Sequence, residues 1–318
     1  MKIVLIGGVS STLATLSMLR KYAFDMVDVY GYEPKNKDSI SGYINIKNYA
    51  LRFGYSYIGF EKINDHCSEI KTKKYDYIFV VGLSQLISDE IIESAKYCCI
   101  GFHPTRLPKG RGRAPIAWLI LDECEGAATF FQIKKNQEAD SGPILSQACF
   151  EIDRENDTAN TIENKILKNI EIALDRLLPD IINNDLKIIE QDESSSSEYG
   201  IRKVRDGYID WRDSAEKIKK HIRSAVHPHP GAFAFIGDNA FQIKLSQEKE
   251  PLNIKGVIGR VLKKDNNNYL IQTGNGSLWI EAEYNLKVGM QLGTCDPYEI
   301  YELNKRLSEL ENFIRNIK

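Results

Sequence analysis

Two side chains suited to acid–base chemistry stand at predicted turns in the first half of the chain. His103 lies in the sequence GFHPTRLPKGRGRAPIAW, residues 101–118, which follows a strand-like run and a helical run. Asp140 lies 37 residues further on, after the strand-like run ATFFQI. A neutral imidazole accepts a proton near pH 7, and a carboxylate fixes its tautomer and stabilises its charged form. The two residue types therefore predict a proton-transfer pair.

Turn-forming residues surround both side chains. Two prolines and two glycines fall within residues 104–112, and they exclude a regular helix or central strand there. We therefore expect a shaped loop that begins at His103, at the carboxyl edge of a sheet, where open α/β sheets bind ligands. Asp140 is followed by Ser-Gly-Pro, which also favours a turn. The two side chains are expected to arrive from separate strand ends over one pocket.

The same loop is rich in positive charge. Its basic residues are Arg106, Lys109, Arg111 and Arg113. Because arginine pairs bidentately with phosphates and carboxylates, this local cluster suits a small anionic ligand. The alternative is a set of solvated loop charges, and the pattern leaves both open.

This constellation resembles the 10-formyltetrahydrofolate-dependent formyltransferases, the family of methionyl-tRNA formyltransferase and the sugar-nucleotide N-formyltransferases. The family's loop is roughly N-x-H-x-S-L-L-P-x-x-x-G, with D-x-G downstream. The chain matches it at His103, Thr105 in place of the serine, Leu107, Pro108, Gly112, Asp140 and Gly142. The run GRGRAPIAW is most similar to the amino-sugar branch. Two segments in the second half also resemble family motifs. One is DGYIDW at 206–211, and the other is the segment that ends the following helix, with matches at Arg223, Pro228, Pro230, Gly231 and Ala232.

One position departs from the family pattern. The catalytic asparagine expected two residues before His103 is Gly101 here. Glycine offers no side-chain donor, so either another group polarises the formyl oxygen, or the oxyanion is stabilised differently, or activity has been lost. The sequence leaves these three open.

The resemblance also implies contacts for two ligands. It places the pterin ring of 10-formyltetrahydrofolate against the backbone after the fourth strand, at Leu83, Ser84, Gln85, Leu86 and Ile87. Asp140 is expected to contact the folate as well. Gly8 and Ser10, at the first strand-to-helix turn, are expected near the substrate. Thr105 and the four basic loop residues complete the predicted substrate contacts.

The implied activity is formylation of the amine of a nucleotide-linked deoxyamino sugar, a UDP- or dTDP-sugar, for glycan biosynthesis. A methionyl-tRNA formyltransferase shares the domain order and stays an alternative. The net charge of −2 argues against a protein that wraps a tRNA. A hydrolase of the folate and an inactive binding relic are further alternatives.

Composition fits a globular protein of two domains. The chain has 318 residues, 42% of them hydrophobic. Its six cysteines form no CxxC pair, so we expect neither a metal site nor disulfides. No segment reaches membrane length and the amino terminus is too short for a signal peptide, which predicts a cytoplasmic protein without nucleic-acid or membrane partners.

The order of patterns predicts the architecture. Residues 1–192 alternate strands and helices, which favours a Rossmann-like, mostly parallel sheet. The polar run at 193–205 is a predicted linker, and short alternating strands at 206–297 predict a small OB-like barrel. Residues 298–318 predict an amphipathic helix, too short to be identified as a coiled coil, that docks on its own chain or on the second subunit of a homodimer.

Overall fold

The computed structural model describes residues 1–37, 40–237, 239–246, 253–293 and 297–317. In the last of these ranges the side chains are described from 303 to 315. The chain divides into two compact units. The larger comprises residues 1–203 with 224–229, and the smaller comprises 204–223 with 230–318.

The larger unit is built on a seven-stranded mixed sheet. Its strands are β1 Lys2–Gly7, β2 Met26–Tyr32, β3 Ser56–Phe60, β4 Tyr77–Val80 and β5 Cys98–Thr105, followed, after the two-residue β6 Arg111–Gly112, by β7 Gly126–Gln132 and β8 Ile144–Phe150. The spatial order is β3-β2-β1-β4-β5-β7-β8. The first five strands are parallel, whereas β7 and β8 are antiparallel to their neighbours. The predicted fold class of this part is confirmed.

Helices cover both faces of this sheet. They are α1 Ser10–Lys21, α2 Lys47–Arg52, α3 Cys67–Lys73, α4 Asp89–Ser94, α5 Pro115–Asp122 and α6 Ala159–Ile182. Alternate residues of β1 point to opposite faces, so Ile3 and Leu5 pack with α1 and α6 while Val4 and Ile6 pack with α3 and α4. The apolar stripe predicted on α6 is buried, with Ile162, Ile166, Ile170, Ala173 and Leu177 at most 3% exposed.

The strand before the loop that contains Arg106 to Gly112 is longer than the sequence indicates. We expected the regular strand to end at His103, which is wrong: β5 continues to Thr105. His103 pairs with Thr129 and Thr105 with Gly126, and the ladder shifts register between them. Pro104 falls in this irregularity, where its missing N–H is not required by the ladder. The loop proper therefore begins at Arg106.

The predicted linker packs against that loop. Residues Glu193–Ser195 form a 3-10 helix, and Glu198–Tyr199 form the short strand β9, which pairs in parallel with β6. This serine-rich segment therefore forms regular backbone hydrogen bonds, and it belongs to the larger unit.

The smaller unit is a five-stranded antiparallel sheet with helices. The helix α7 Ala215–Ala225 begins in it and precedes β10 Ala232–Ile236, β11 Asn239–Leu245, β12 Val261–Asp265, β13 Asn268–Gln272 and β14 Ser277–Glu281. The sheet order is β10-β11-β14-β13-β12, and Trp211 is fully buried in the unit's core. The chain ends in α8 Pro297–Ile317. Among the described helices none is long and apolar enough to cross a membrane.

Candidate active site

His103 and Asp140 meet at the carboxyl edge of the large sheet. The strand β4 ends at Val80, which pairs with Gly101, so His103 lies beyond that end. Its Nδ1 is 3.2 Å from Oδ2 of Asp140. The His103 side chain is 6% exposed and that of Asp140 is 16% exposed, so solvent reaches the pair mainly from the aspartate side.

Both ring nitrogens of His103 face acceptors. Nε2 is 2.8 Å from the carbonyl oxygen of Gly110, and Nδ1 faces the Asp140 carboxylate. A neutral imidazole can donate from only one nitrogen, whereas an imidazolium donates from both. The neutral ring therefore satisfies only one of these two acceptors.

Backbone geometry brings Asp140 to the histidine. Asp140 has φ +58°, in the left-handed region, and its Oδ2 accepts a hydrogen bond from the backbone N–H of Gly112 at 3.0 Å. The turn after it passes so close to β7 that a Cβ on Gly142 would lie 1.7 Å from the carbonyl oxygen of Gln132. Only glycine fits at that position, which explains the second fixed residue of the D-x-G pattern.

A polar network that the sequence analysis did not predict joins the loop at Arg111 to the turn at Asp140. Nε2 of Gln191 donates to the carbonyl oxygens of Asp140 and Gly142 at 2.8 and 2.6 Å. Its Oε1 accepts from the Arg111 guanidinium, with the shortest contact at 2.8 Å. Arg111 also donates to both carboxylate oxygens of Glu193, at 2.9 and 2.7 Å. Arg111 is thus buried and committed to holding the loop, since its donors are used within the protein.

The predicted linker also forms hydrogen bonds to the backbone of the loop after β5. The hydroxyl of Ser197 accepts from the N–H of Gly110 at 2.9 Å, and the Ser197 carbonyl accepts from the N–H of Arg111. A Cβ on Gly112, which has φ +97°, would lie 2.5 Å from the carbonyl oxygen of Tyr199. We call residues 191–199 the strap, because this segment lies along the loop and fixes it.

The space for the family's asparagine is filled by aromatic and aliphatic side chains. A Cβ on Gly101 would lie 2.6 Å from Cζ of Phe131 and 3.0 Å from Cγ1 of Ile133. Gly101 and His103 are two residues apart on β5, so their side-chain directions share a face. Phe131 is only 5% exposed, and it closes this part of the face to a polar side chain.

The predicted folate and substrate segments flank the switch point of the sheet. Neighbouring strands β1 and β4 lead to opposite halves of the sheet order, and ligands bind at such crevices in α/β folds. Gly8 follows β1, and the Ser10 hydroxyl donates to Glu163 at 2.5 Å. The turn after β4 contains the predicted pterin contacts, Leu83, Ser84, Gln85, Leu86 and Ile87.

That turn after β4 contains one exposed apolar side chain. Leu86 is 83% exposed, whereas Leu83 and Ile87 pack on the core. The amide of Gln85 bonds the backbone of Glu61 and Ile63, so it holds the turn in place. Ser84 is exposed. Leu86 is thus the side chain of this segment that is most open to a ligand.

The remaining loop residues differ in whether their side chains are available to an anionic ligand. The hydroxyl of Thr105 donates to the carbonyl oxygen of Lys109 at 2.8 Å, and Thr105 is only 1% exposed, so it shapes the loop. Arg106 forms an ion pair with Glu125 at the surface. Lys109 and Arg113 are exposed, and among the described residues neither forms an ion pair through its side chain. Two of the four predicted anion contacts thus remain available.

Metal ligation and disulfides find no support in the described part of the chain. No group of three or more His, Cys, Asp or Glu side chains there could hold a metal ion. Five cysteines are free, and the sixth, Cys295, lies outside the described residues.

Both halves of the chain match formyl transferase family models. Residues 59–178 match the model described as formyl transferase, and residues 202–288 match the formyl transferase, C-terminal domain. The first match contains His103, Asp140 and the turn after β4. Together the two matches cover more than half of the chain, and the protein belongs to the formyl transferase family.

Solved structures of similar fold include several N-formyltransferases. WlaRD, a sugar 3N-formyl transferase solved in the presence of dTDP and 5-N-formyl-THF, is 21% identical with a TM-score of 0.64, covering 90% of this chain and 99% of its own. The N-formyltransferase from Helicobacter canadensis, in complex with folinic acid and dTDP-3-aminofucose, is 20% identical with a TM-score of 0.64, covering 89% and 100%. HypX from Aquifex aeolicus in complex with tetrahydrofolic acid is 16% identical with a TM-score of 0.63, covering 88% of this chain and 43% of HypX. These similarities show that the fold is shared.

Proposed function

We propose that the protein transfers a formyl group from 10-formyltetrahydrofolate to the amine of a nucleotide-linked deoxyamino sugar. The observation that carries the proposal is the 3.2 Å contact between His103 and Asp140, at the edge of the sheet and within the matched family region. The neighbours in complex with formyl-folates and with dTDP or dTDP-3-aminofucose support the two ligands. The proposed acceptor is a dTDP- or UDP-linked amino sugar.

The chemistry needs one proton to move between two nitrogens. The neutral amine attacks the formyl carbon, and His103 takes the proton that the amine nitrogen releases on Nε2, which must give up its contact with the Gly110 carbonyl to reach the amine. The bond between the formyl carbon and N10 of the folate then breaks, and the ring returns its proton to N10. The Gly110 carbonyl and the Asp140 carboxylate stabilise the charged ring between these steps.

The tetrahedral intermediate also needs a donor for its oxyanion. Gly101 supplies none, and Phe131 and Ile133 occupy the space beside it. The positive charge of the His103 imidazolium balances the oxyanion through space, because its two N–H groups already face Asp140 and Gly110. The same residue then serves proton transfer and charge stabilisation.

Sugar-nucleotide binding is assigned to the exposed part of the loop. Lys109 and Arg113 face solvent with no ion pair within the described chain, and both suit a diphosphate. Arg111 is excluded from this role because Glu193 neutralises it. Leu86 offers an apolar contact to the pterin ring.

The proposal is tested by incubating the protein with 10-formyltetrahydrofolate and dTDP-, UDP- or GDP-linked amino sugars. Mass spectrometry should detect one added formyl group on at least one of them, dependent on His103. Formate release without an acceptor would indicate a hydrolase, and selective retention of initiator tRNA on a filter would indicate the tRNA enzyme. Binding of folate and sugar nucleotide with no turnover would show that activity was lost.

A further inference from the structure

The C-terminal helix α8 presents an apolar stripe that no described residue covers. All thirteen side chains from 303 to 315 are exposed. The stripe comprises Leu303, Leu307, Leu310 and Ile314, which are 56 to 63% exposed, and Phe313 beside them is 64% exposed. Most helical stability in proteins comes from the packing of an amphipathic face, so a stripe of this size requires a partner.

The spacing of the stripe identifies the kind of partner. In the sequence, apolar residues stand at 300, 303, 307, 310, 314 and 317, with intervals of 3, 4, 3, 4 and 3. These intervals match the heptad seam of a coiled coil rather than the wider face of a core-packed helix, over a span shorter than the three to four heptads that identify a coiled coil from sequence alone. The a positions are Ile300, Leu307 and Ile314, and the d positions are Leu303, Leu310 and Ile317. Two of the three residues at each position follow the choice of isoleucine at a and leucine at d that favours two parallel strands.

Charges beside the seam select a second copy of the same chain. Arg306 occupies a g position and Glu311 the following e position. In a parallel dimer Arg306 of each helix faces Glu311 of the other, which gives two symmetrical ion pairs. An antiparallel pair centred on the same leucines would instead place Arg306 against Phe313 and Glu311 against Asn304, with no ion pair.

The helix is less suited to a lipid surface. Residues 297–318 contain four acidic and four basic side chains, so the segment has no net charge. Interfacial helices that bind anionic membranes place an excess of Lys and Arg on the polar face. We propose that α8 is a homodimerisation helix that forms a parallel two-stranded coiled coil with α8 of a second copy.

The first test compares matched charge insertions on the two faces of the helix. Light scattering is measured on the full chain from about 1 to 100 μM, with reductant because Cys149 is exposed. The wild-type chain should reach twice its mass of 36.2 kDa. Leu307→Glu with Leu310→Glu should raise the dimer dissociation constant at least about 100-fold. Ser308→Glu with Asn312→Glu adds the same charge on the opposite face and should leave the dimer intact.

A charge-swap series tests the orientation. Arg306→Glu and Glu311→Arg should each weaken the dimer about 3- to 10-fold, because each opposes like charges across the seam. The double swap should restore the wild-type constant, which neither a folding defect nor an antiparallel pair would produce. A monomeric wild-type chain, with or without binding to phosphatidylserine vesicles, overturns the proposal. A dimer that survives the two leucine substitutions also overturns it.

Discussion

At the residue scale the site consists of one histidine whose two nitrogens both face acceptors. The carboxylate of Asp140 and the carbonyl of Gly110 are both acceptors, so a neutral ring satisfies only one of them. The sequence predicted the two residues from their types, their turn context and the resemblance to the formyltransferase loop. The second acceptor, seven residues after the histidine, depends on how the loop closes.

Substitution of the pair should separate chemistry from binding. His103→Ala and Asp140→Asn are each expected to lower kcat about 10² to 10⁴-fold, the usual contribution of general acid–base catalysis, with smaller changes in KM. Single-turnover formyl transfer measures this directly. Rates near wild type in both variants would remove the pair from the mechanism.

Gly101 should resist reversion to the family's asparagine. In Gly101→Asn the new Cβ meets Phe131, so we expect destabilisation of about 1 to 3 kcal/mol from overpacking and no gain in turnover. Urea unfolding of Gly101→Asn, Phe131→Ala and the double variant measures the coupling. The double variant should be more stable than the sum of the single effects predicts. Strict additivity would show that the two positions do not share this space.

The two exposed loop cations should affect substrate binding more than chemistry. Lys109→Ala and Arg113→Ala are each expected to raise KM for the sugar nucleotide about 10-fold with kcat nearly unchanged, because each removes a charge-assisted contact of about 1.4 kcal/mol. Arg106→Ala is the matched control, since Arg106 is already paired with Glu125. An equal rise in KM for all three variants would indicate a general electrostatic effect.

At the scale of elements, the strap fixes the loop relative to the aspartate turn. In the described part of the chain, Gln191 is the one side chain that bonds Asp140, Gly142 and Arg111 together. The backbone of the strap adds the β6–β9 pairing. The polar composition of residues 193–198 serves hydrogen bonding to this loop, although the same composition is typical of linkers.

Loss of Gln191 should loosen the catalytic geometry without removing a reacting group. In Gln191→Ala two carbonyls lose their donor, and we expect kcat to fall about 10- to 100-fold with little change in KM. Ser195→Ala is the control on the same segment, because its hydroxyl bonds Asp192. The kcat and KM of both variants, with thermal unfolding, distinguish positioning from simple destabilisation. A change in melting temperature with unchanged kcat would contradict a positioning role.

At the scale of the whole molecule, one ionic cluster ties the edge of the large sheet to α3. Asp28 of β2 accepts from the hydroxyl of Tyr75 at 2.5 Å and from Ser56, and its Oδ2 lies 3.2 Å from Nζ of Lys73. Burial raises the pKa of Asp28, but the hydrogen bonds from Ser56, Tyr75 and Lys73 outweigh burial and hold this pKa below its ordinary value. The ionised form therefore stabilises the fold.

This depressed pKa fixes the sign of a pH effect. The stabilisation is present above the unfolded-state pKa, about 3.9, and is lost as pH falls through the lower folded-state pKa. Asp28→Asn should lower the free energy of unfolding by about 1 to 3 kcal/mol at pH 7, with a shrinking difference from wild type in acid. Asp175→Asn, at an exposed pair with Lys21, should change it by less than about 1 kcal/mol. Urea unfolding across pH measures both, and a constant difference would contradict the assignment.

The sequence by itself determined the alternation of strands and helices and the buried stripe of α6, and it predicted the histidine and aspartate of the proposed site. These features depend on local periodicity and on turn residues, which a single segment contains. Tertiary structure alone decided that β5 runs through Pro104, that Phe131 fills the space beside Gly101 and that Glu193 neutralises Arg111. Each of these contacts joins residues from different segments, about 30 to 80 positions apart in the last two cases, and local spacing does not specify which distant side chain arrives.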